Sequence, residues 1–228
     1  RSGSSHQSLP KTCPSFKFVL VRSAIIQGDG NSHMRQMYKL KISLLHIEPE
    51  IWRRVVVPRH IHLGQLHDVI QCVMGWTDTH LHEFSQGNRH FGVPDFDFDE
   101  PGRLTRESNA KLHKLLSSPG DVLDYAYDMG DYWEHEIVLE QVLPTDTDKP
   151  ITSCLGGERG CPPEDVGGPW SYAEFLEVLG DPNHEEHDHW VEWAGEYFHA
   201  EEFDLSGTNN RLTNLTSRWR WPREKANN

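Results

Sequence analysis

A histidine pair, His80 and His82, is a candidate metal-binding element of this sequence. On a strand, alternate side chains point to the same face, so both imidazoles would face one ligand and Glu83 would face away. Imidazole suits zinc and other divalent transition metals, but a site needs three or four converging ligands. A strand end with partly exposed histidines is the alternative interpretation. The same spacing recurs in two other places, at His60/His62 and His187/His189.

A second candidate lies in residues 130–135, where a two-residue period places Asp131, Trp133 and His135 on one face of a strand. A carboxylate and an imidazole beside an indole wall could orient or titrate a ligand, and Glu134 adds a second carboxylate. The alternative is structural: Asp131 caps a turn, Trp133 packs in the core and His135 is a buried, hydrogen-bonded core histidine.

Two cysteines, Cys154 and Cys161, form the third candidate. Six residues separate them, which exceeds the usual two to four between paired zinc thiolates. The glycine-rich segment between them could still bring both sulfurs to one ion, and a disulfide or two unrelated thiols are the alternatives. With the histidines His80, His82 and His135, they make up the predicted zinc-ligand set.

The overall charge narrows the classes of partner. The chain has 228 residues, with 22 Lys or Arg against 35 Asp or Glu, a net charge of −13 with histidine neutral. This balance argues against a general nucleic-acid binder and against a polybasic membrane-surface protein. No stretch approaches the roughly 20 apolar residues that span a bilayer. Nine acids and no Lys or Arg fall within residues 181–204, which predicts a solvated acidic face.

Compartment and catalytic class are also constrained by the sequence. Four cysteines are few for a disulfide-stapled secreted protein, so we expect a cytoplasmic location. The HExxH, GxSxG, GxxxxGK[ST], GxGxxG and CxxC patterns do not occur in the sequence. The common hydrolase, kinase and dinucleotide-binding signatures are therefore missing.

The elements that must position these residues follow from hydrophobic periodicity. Residues 16–26 form a possible strand within an N-terminal extension, 1–37. Residues 154–169 are expected to be irregular because they contain five glycines and three prolines. Residues 170–180 are expected to form a helix that starts with a capping box of Ser171 and Glu174. The remaining predictions are strands at 38–47 and 51–58, a helix at 63–76, hairpins at 81–93 and 122–143, and a helix at 185–198.

This order predicts an α+β fold: a mixed or largely antiparallel sheet with helices packed on one side. A β-grasp-like core is one way to arrange the first five elements. We expect a single domain over residues 38–212 and a polar tail over 213–228.

Five sequence blocks, met in a fixed order, resemble the plasmid pRiA4b ORF-3-like family, whose members are also labelled insertion-element passenger proteins of TnpR type. The resemblance covers about residues 38–212 and implies a small α+β domain without an established activity. Met129 stands where the family commonly has Phe. The family's recurrent positions correspond to His80, His82, Asp131, Trp133, His135, Pro162, Pro163, Glu164 and Asp165. The blocks are YKLKISLLHIEPEIWRRVVVP, LGQLHDVIQCVMGWTDTHLHEF, YDMGDYWEHEIVLE, CLGGERGCPPEDVGGPWSYAEFLEVL and EFDLSGTNNRL.

Together these features predict a non-catalytic binding or interaction module with an unknown protein or small-molecule partner. Zinc is the cofactor expected, in a structural site. A metal-dependent hydrolase or nuclease linked to mobile elements is the alternative, and it needs an open coordination position and a general base such as Glu83, Glu134 or Glu164. The residues expected to contact a ligand are Asp131, Trp133, Glu134, Glu164 and Asp165.

Overall fold

The computed structural model describes residues 35–94, 102–145, 151–195 and 198–219. The predicted strand at 16–26 lies outside these residues. Two short 3₁₀ turns, Glu107–Asn109 and Leu112–Lys114, follow the fifth strand. The strands and helices, in chain order, are β1 Arg35–Leu44, β2 Ile51–Pro58, α1 Leu63–Met74, β3 His82–Gln86, β4 Arg89–Gly92, β5 Leu104–Arg106, β6 Val122–Tyr127, β7 Trp133–Thr145, β8 Ser153–Glu158, α2 Gly168–Gly180, α3 His187–Ala194 and α4 Leu205–Thr216.

All eight strands of the described residues belong to one sheet, in the order β5-β4-β3-β6-β7-β1-β2-β8. Neighbouring strands are antiparallel except for β4 and β5, which are parallel. The predicted α+β fold with a largely antiparallel sheet is confirmed. Strands β6 and β7 lie between β1 and β3, so the first five elements do not form a continuous β-grasp-like core of their own.

One face of the sheet is buried by the helices, as the alternation in the sequence predicts. In β1, the predicted inward residues Tyr38, Leu40, Ile42 and Leu44 are all buried. Leu40 lies opposite Val55 on β2 and opposite Leu139 on β7, so the apolar stripes of adjacent strands coincide.

Helix contacts fall on that same face. Trp76, directly after α1, stacks on Tyr127 of β6, and Tyr172 of α2 meets Trp133 of β7 edge-on. Helix α4 packs against α1 and β8. Charged pairs such as Arg54–Glu140 lie on the other face. Within the described residues, no helix is long and apolar enough to cross a membrane.

Helix α1 begins at the predicted residue, Leu63, and ends at Met74, two residues before the predicted end. Gly75 ends it in the left-handed conformation (φ 96°), which glycine adopts without a steric penalty. At its start, His62 accepts a hydrogen bond from the backbone N–H of Gln65, whose side chain returns one to the backbone N–H of His62. This reciprocal cap fixes the first turn of α1.

The prediction that residues 154–169 are irregular was wrong for their first part, which forms strand β8. The strand follows the edge of β2, and a Cβ at Gly157 would come within 2.8 Å of both Arg53 Cδ and the carbonyl oxygen of Trp52. Glycine is therefore needed there for close approach rather than for flexibility.

The outer edge of β8 is covered by helix α4. The side-chain amide of Asn209 accepts a hydrogen bond from the backbone N–H of Cys154 and donates one to the carbonyl oxygen of the same residue. One side chain thus satisfies a donor and an acceptor that an additional strand would otherwise pair.

Two predicted helix boundaries and the predicted start of the polar tail also change. Helix α2 begins after Gly167, which has φ 94°, and no side chain caps it, so the predicted Ser171 capping box was wrong. Helix α3 is shorter than the predicted 185–198, and residues 196 and 197 of that range lie outside the described residues. The polar tail expected from residue 213 begins inside α4, which Asp204 caps and which continues to Thr216.

Candidate metal centre

A cleft of about 450 Å³ lies where the start of α1, the loop after α1, the start of β3 and the first 3₁₀ turn meet. Its wall is unusually rich in groups that can bind metal ions. The lining residues are His62, Gly64, His67, Asp68, Asp78, His80, Leu81, His82, Val93 and Glu107.

Two stacked imidazoles form the centre of this cleft. The rings of His67 and His82 are nearly parallel, with centroids 3.5 Å apart. His67 Nε2 lies 2.9 Å from Asp78 Oδ1, and His82 Nε2 lies 2.7 Å from Glu107 Oε2. One nitrogen or oxygen atom from each of His67, Asp78 and His82 falls within 4.8 Å of the other two. These three atoms are close enough together to be candidate ligands of one ion, and Glu107 lies beside them.

A second layer of hydrogen bonds holds His67 and Asp78 in place. His67 Nδ1 lies 2.9 Å from the Tyr125 hydroxyl, which also accepts a hydrogen bond from Gln71 Nε2. The other end of the Gln71 amide accepts the backbone N–H of Asp78. Such partners fix the orientation of a metal-binding imidazole and leave its other nitrogen directed at the ion.

The electrostatics of the cleft favour the metal-binding protonation states of two groups, His67 and Glu107. Burial, and then the neighbouring His82, lower the pKa of His67 to about 4, so its imidazole is neutral at pH 7. Burial opposes ionisation of Glu107, but the hydrogen bond and charge of His82 outweigh it and lower the pKa of the carboxyl group. A neutral imidazole and an ionised carboxylate are the protonation states that metal binding requires.

The glycine in the first turn of α1 makes room for Glu107. A Cβ on Gly64 would lie 2.5 Å from Glu107 Oε1, so any other residue would displace the carboxylate from the helix start. The Leu63-Gly64 sequence therefore contributes to the geometry of the cleft.

A second cluster lies at the mouth of the cleft, around His80. Its Nε2 is 3.1 Å from Asp165 Oδ1 and 3.7 Å from Asp128 Oδ2. Both aspartates have left-handed backbones, with φ 58° at Asp128 and 63° at Asp165. Asp165 is exposed, so this cluster is more open to solvent than the His67 cluster.

The structure divides the predicted zinc-ligand set. His80 and His82 both line the cleft but belong to different clusters, and His135 lies outside it. Among the described residues, no group of three ligand atoms within 4.8 Å includes a cysteine. Cys154 lies on β8, and the buried Arg53 is the charged neighbour of both Cys154 and Cys161. The thiols therefore lie by β2 and β8, so the predicted five-residue arrangement does not form.

The buried side chain of His135 shows why it cannot reach the cleft. Its Nδ1 donates a hydrogen bond to the carbonyl oxygen of Trp133, and its ring meets Trp76 edge-on. Complete burial lowers its pKa to about 4. His135 thus lies in the core, as in the alternative that the sequence offered, but only its Nδ1 is hydrogen-bonded, and its buried Nε2 has no hydrogen-bond partner within the described residues.

The predicted ligand-contacting residues also separate. Asp131 accepts the backbone N–H of Gly167, and Trp133 is fully buried. Glu134 points to the other face of the sheet and binds His46. Asp165 belongs to the His80 cluster.

Glu164 joins two loops rather than facing the cleft. It accepts hydrogen bonds from the backbone N–H and hydroxyl of Thr77, and from the hydroxyls of Thr79 and Tyr127. Burial opposes ionisation, but these donors together lower the pKa of Glu164. A carboxylate with this many partners is suited to positioning a loop and poorly placed to act as a general base.

Three cleft residues, His67, Asp78 and Glu107, were not predicted from the sequence. For His67 a signal existed: it falls four residues after Leu63, on the buried face of α1, and Gln71 falls four further on. Two polar residues on an otherwise apolar stripe indicate a buried polar network. Asp78 and Glu107 lie in a loop and a 3₁₀ turn, where no periodicity identifies them.

Comparison with known proteins identifies the family. The model of the plasmid pRiA4b ORF-3-like protein family matches residues 36–207. This chain belongs to that family. It is 40% identical over 183 residues to the uncharacterized protein y4hQ of Sinorhizobium fredii, covering 79% of this chain and 93% of that one.

A solved structure shares the fold. The crystal structure of the protein of unknown function MM3350 from Methanosarcina mazei Go1 superposes with a TM-score of 0.68 at 38% identity. The match covers 75% of this chain and 97% of that chain. The fold of this chain is therefore also found in a solved structure.

Proposed function

We propose that this protein is a binding module that holds a divalent transition-metal ion, zinc first, in the cleft through His67, Asp78, His82 and Glu107. The observation that carries the proposal is the stacked His67–His82 pair with a carboxylate at each Nε2. Mixed imidazole and carboxylate donors suit zinc, and also iron and manganese.

The plain alternative is a pair of histidine–carboxylate hydrogen bonds with no ion. That alternative explains each contact singly, whereas a bound ion also gives a reason for two imidazoles and two carboxylates to line one cleft. We also propose that the module works in the cytoplasm, because four cysteines are few for a disulfide-stapled secreted protein.

The test is a calorimetric titration of the full chain with Zn²⁺ and Mn²⁺ at pH 7.5. We expect saturable binding near one ion per chain, weakened at least about tenfold by His82→Gln or Glu107→Gln. His189→Gln, on the exposed part of α3, is the matched control and should leave the affinity unchanged. Asp165→Asn should have little effect because it changes only the His80 cluster.

Two results would refute this proposal. The first is a wild-type chain that shows no saturable binding after removal of purification tags. The second is binding that survives His82→Gln and disappears in Asp165→Asn, which would assign the ion to the His80 cluster instead.

A metal-dependent hydrolase or nuclease is the second candidate, and one observation favours it. Asp78, a proposed ligand, is 58% exposed at the side chain and opens onto the cleft, so water or substrate could reach the ion. Asp68 lines the same cleft outside the ligand group and is the candidate general base of this alternative. Turnover of bis(p-nitrophenyl) phosphate by the metal-loaded chain, abolished by Asp68→Asn with metal binding intact, would favour this candidate over a non-catalytic module.

A further inference from the structure

A basic ridge, formed by His60, Lys111, His113 and Lys114, runs along the surface beside the cleft. Residues 59–61 and 111–113 lie antiparallel: the backbone N–H of His113 donates to the carbonyl oxygen of Arg59, and that of Leu112 to Ile61. Alternation buries Ile61 and Leu112, while His60, Lys111 and Lys114 are exposed. The ridge thus collects cationic and imidazole groups on one strip of surface.

The ridge begins where the cleft ends. His62 forms an isolated β-bridge with Lys111 and also lines the cleft. Glu107, at the edge of the proposed metal centre, lies only four residues before Lys111 on the same segment. An elongated ligand of small size could therefore touch both the ion and the ridge.

The local field along the ridge is positive. Burial, followed by the charges of Arg59 and Lys111, lowers the pKa of His60. His113 responds to its surroundings in the same direction: burial, then His60, Arg59 and Lys114 lower its pKa. The rings of His60 and His113 also meet edge-on, with centroids 4.7 Å apart.

The basic ridge is locally positive, although the net charge of the whole chain is −13. At physiological ionic strength, charges more than about 8 Å away are largely screened, so a small anion responds mainly to its immediate surroundings. A long polyanion would also meet the acidic surfaces of the molecule. The positive ridge therefore favours an anionic ligand, and the negative net charge of the chain favours a compact anion over a long polyanion.

We infer that the cleft and the basic ridge bind a small phosphate-bearing ligand, with the phosphate between the metal ion and the lysines of the ridge. The inference rests on the proposed function for the metal ion, and it names the ligand class of that site. Lysine ammonium groups bind phosphate as point charges, and divalent ions bind its oxygens directly.

The test titrates inorganic phosphate and AMP into the full chain by calorimetry, with and without Mn²⁺. We expect both probes to bind the Mn²⁺-loaded chain. Lys111→Gln and Lys114→Gln should each weaken binding two- to fivefold, a range typical of exposed charges. Arg218→Gln, on the exposed chain after α4, removes the same charge far along the sequence and should leave binding unchanged.

The outcomes separate the two proposals. Mn²⁺ affinity that is unchanged in the lysine variants, with weakened phosphate binding, supports the ridge. Failure of Mn²⁺ to bind while phosphate still binds in a lysine-dependent way would refute the metal centre and keep the ridge. Absence of binding by both phosphate and AMP, or identical binding in all variants, would overturn the inference.

A single-stranded oligonucleotide serves as the third probe. If it bound more than about tenfold tighter than AMP, with a steep dependence on salt, the ridge would belong to a nucleic-acid surface and the small-ligand inference would be overturned. Weak binding of the oligonucleotide, comparable to that of AMP or below it, supports the inference.

Discussion

The buried His135 makes the stability of the fold depend on pH. His135→Gln removes the titrating ring, and the comparison of interest is the slope of stability against pH rather than stability at one pH. His189→Gln, on the exposed face of α3, changes the same residue type without changing the core.

The magnitude follows from the depressed pKa of His135. Burial lowers it from 6.5 to about 4, so as pH falls the unfolded chain binds a proton before the folded chain does. The contribution of neutral His135 to the free energy of unfolding is complete above about pH 6.5 and is lost progressively as the pH falls towards 4. Each tenfold change in proton affinity is worth about 1.4 kcal/mol, so the loss between pH 7 and pH 4 is about 3 kcal/mol. About 2 kcal/mol of this is lost by pH 5.

Urea denaturation of the full chain, followed by tryptophan fluorescence at pH 7, 6, 5 and 4, measures the free energy of unfolding at each pH. Wild type and His189→Gln should lose about 3 kcal/mol more than His135→Gln over this range. His67 titrates in the same direction but is present in all three proteins, so its contribution cancels. Parallel curves for wild type and His135→Gln would show that His135 is not held neutral by burial.

Three substitutions test the contacts that hold the cleft and β8. Glu164→Ala removes the carboxylate that joins the two loops and should lower the free energy of unfolding by about 1–2 kcal/mol. The control, Glu177→Ala at an exposed position, should change the free energy of unfolding by less than about 0.5 kcal/mol. Denaturant titration measures both values. Asn209→Ala should lower the free energy of unfolding by about 1–2 kcal/mol, because two backbone groups of β8 lose their hydrogen-bond partner. An equal decrease in Asn210→Ala, at the exposed neighbouring position, would contradict this explanation. Gly157→Ala should cost about 1–3 kcal/mol by steric conflict with β2, measured as a lower melting temperature; an unchanged value would show that β8 can move away.

The parts of the fold that could be predicted are those whose burial repeats along the chain. Alternation in β1 and β2, and the three-to-four spacing in α1 followed by Gly75, are local consequences of one buried face. Strand β8 was not predicted because its conformation depends on pairing with β2. Gly157 is needed there because a side chain would clash with β2. A pattern that depends on a distant partner leaves no period in the sequence.

The cleft was predictable only in part, for the same reason. His82 was identified because its spacing from His80 is local, but its partners are set by the approach of α1 and of the 3₁₀ turn at Glu107. Cys154 does not join the predicted zinc-ligand set, because the sheet order places β8 at the edge beyond β2, away from His82 on β3. Nearness in three dimensions follows from topology, which composition and spacing do not determine.

Because α4 covers the outer edge of β8, the position at which the C-terminus is truncated should affect self-association of the protein. The family match ends at residue 207, whereas α4 runs from Leu205 to Thr216 and contributes Asn209 and the buried Leu212. A chain truncated after residue 207 would keep all of the matched sequence and lose this cover. Its exposed strand edge would then be available to pair with another copy, so self-association, rather than unfolding, is the defect that such a truncation should show first.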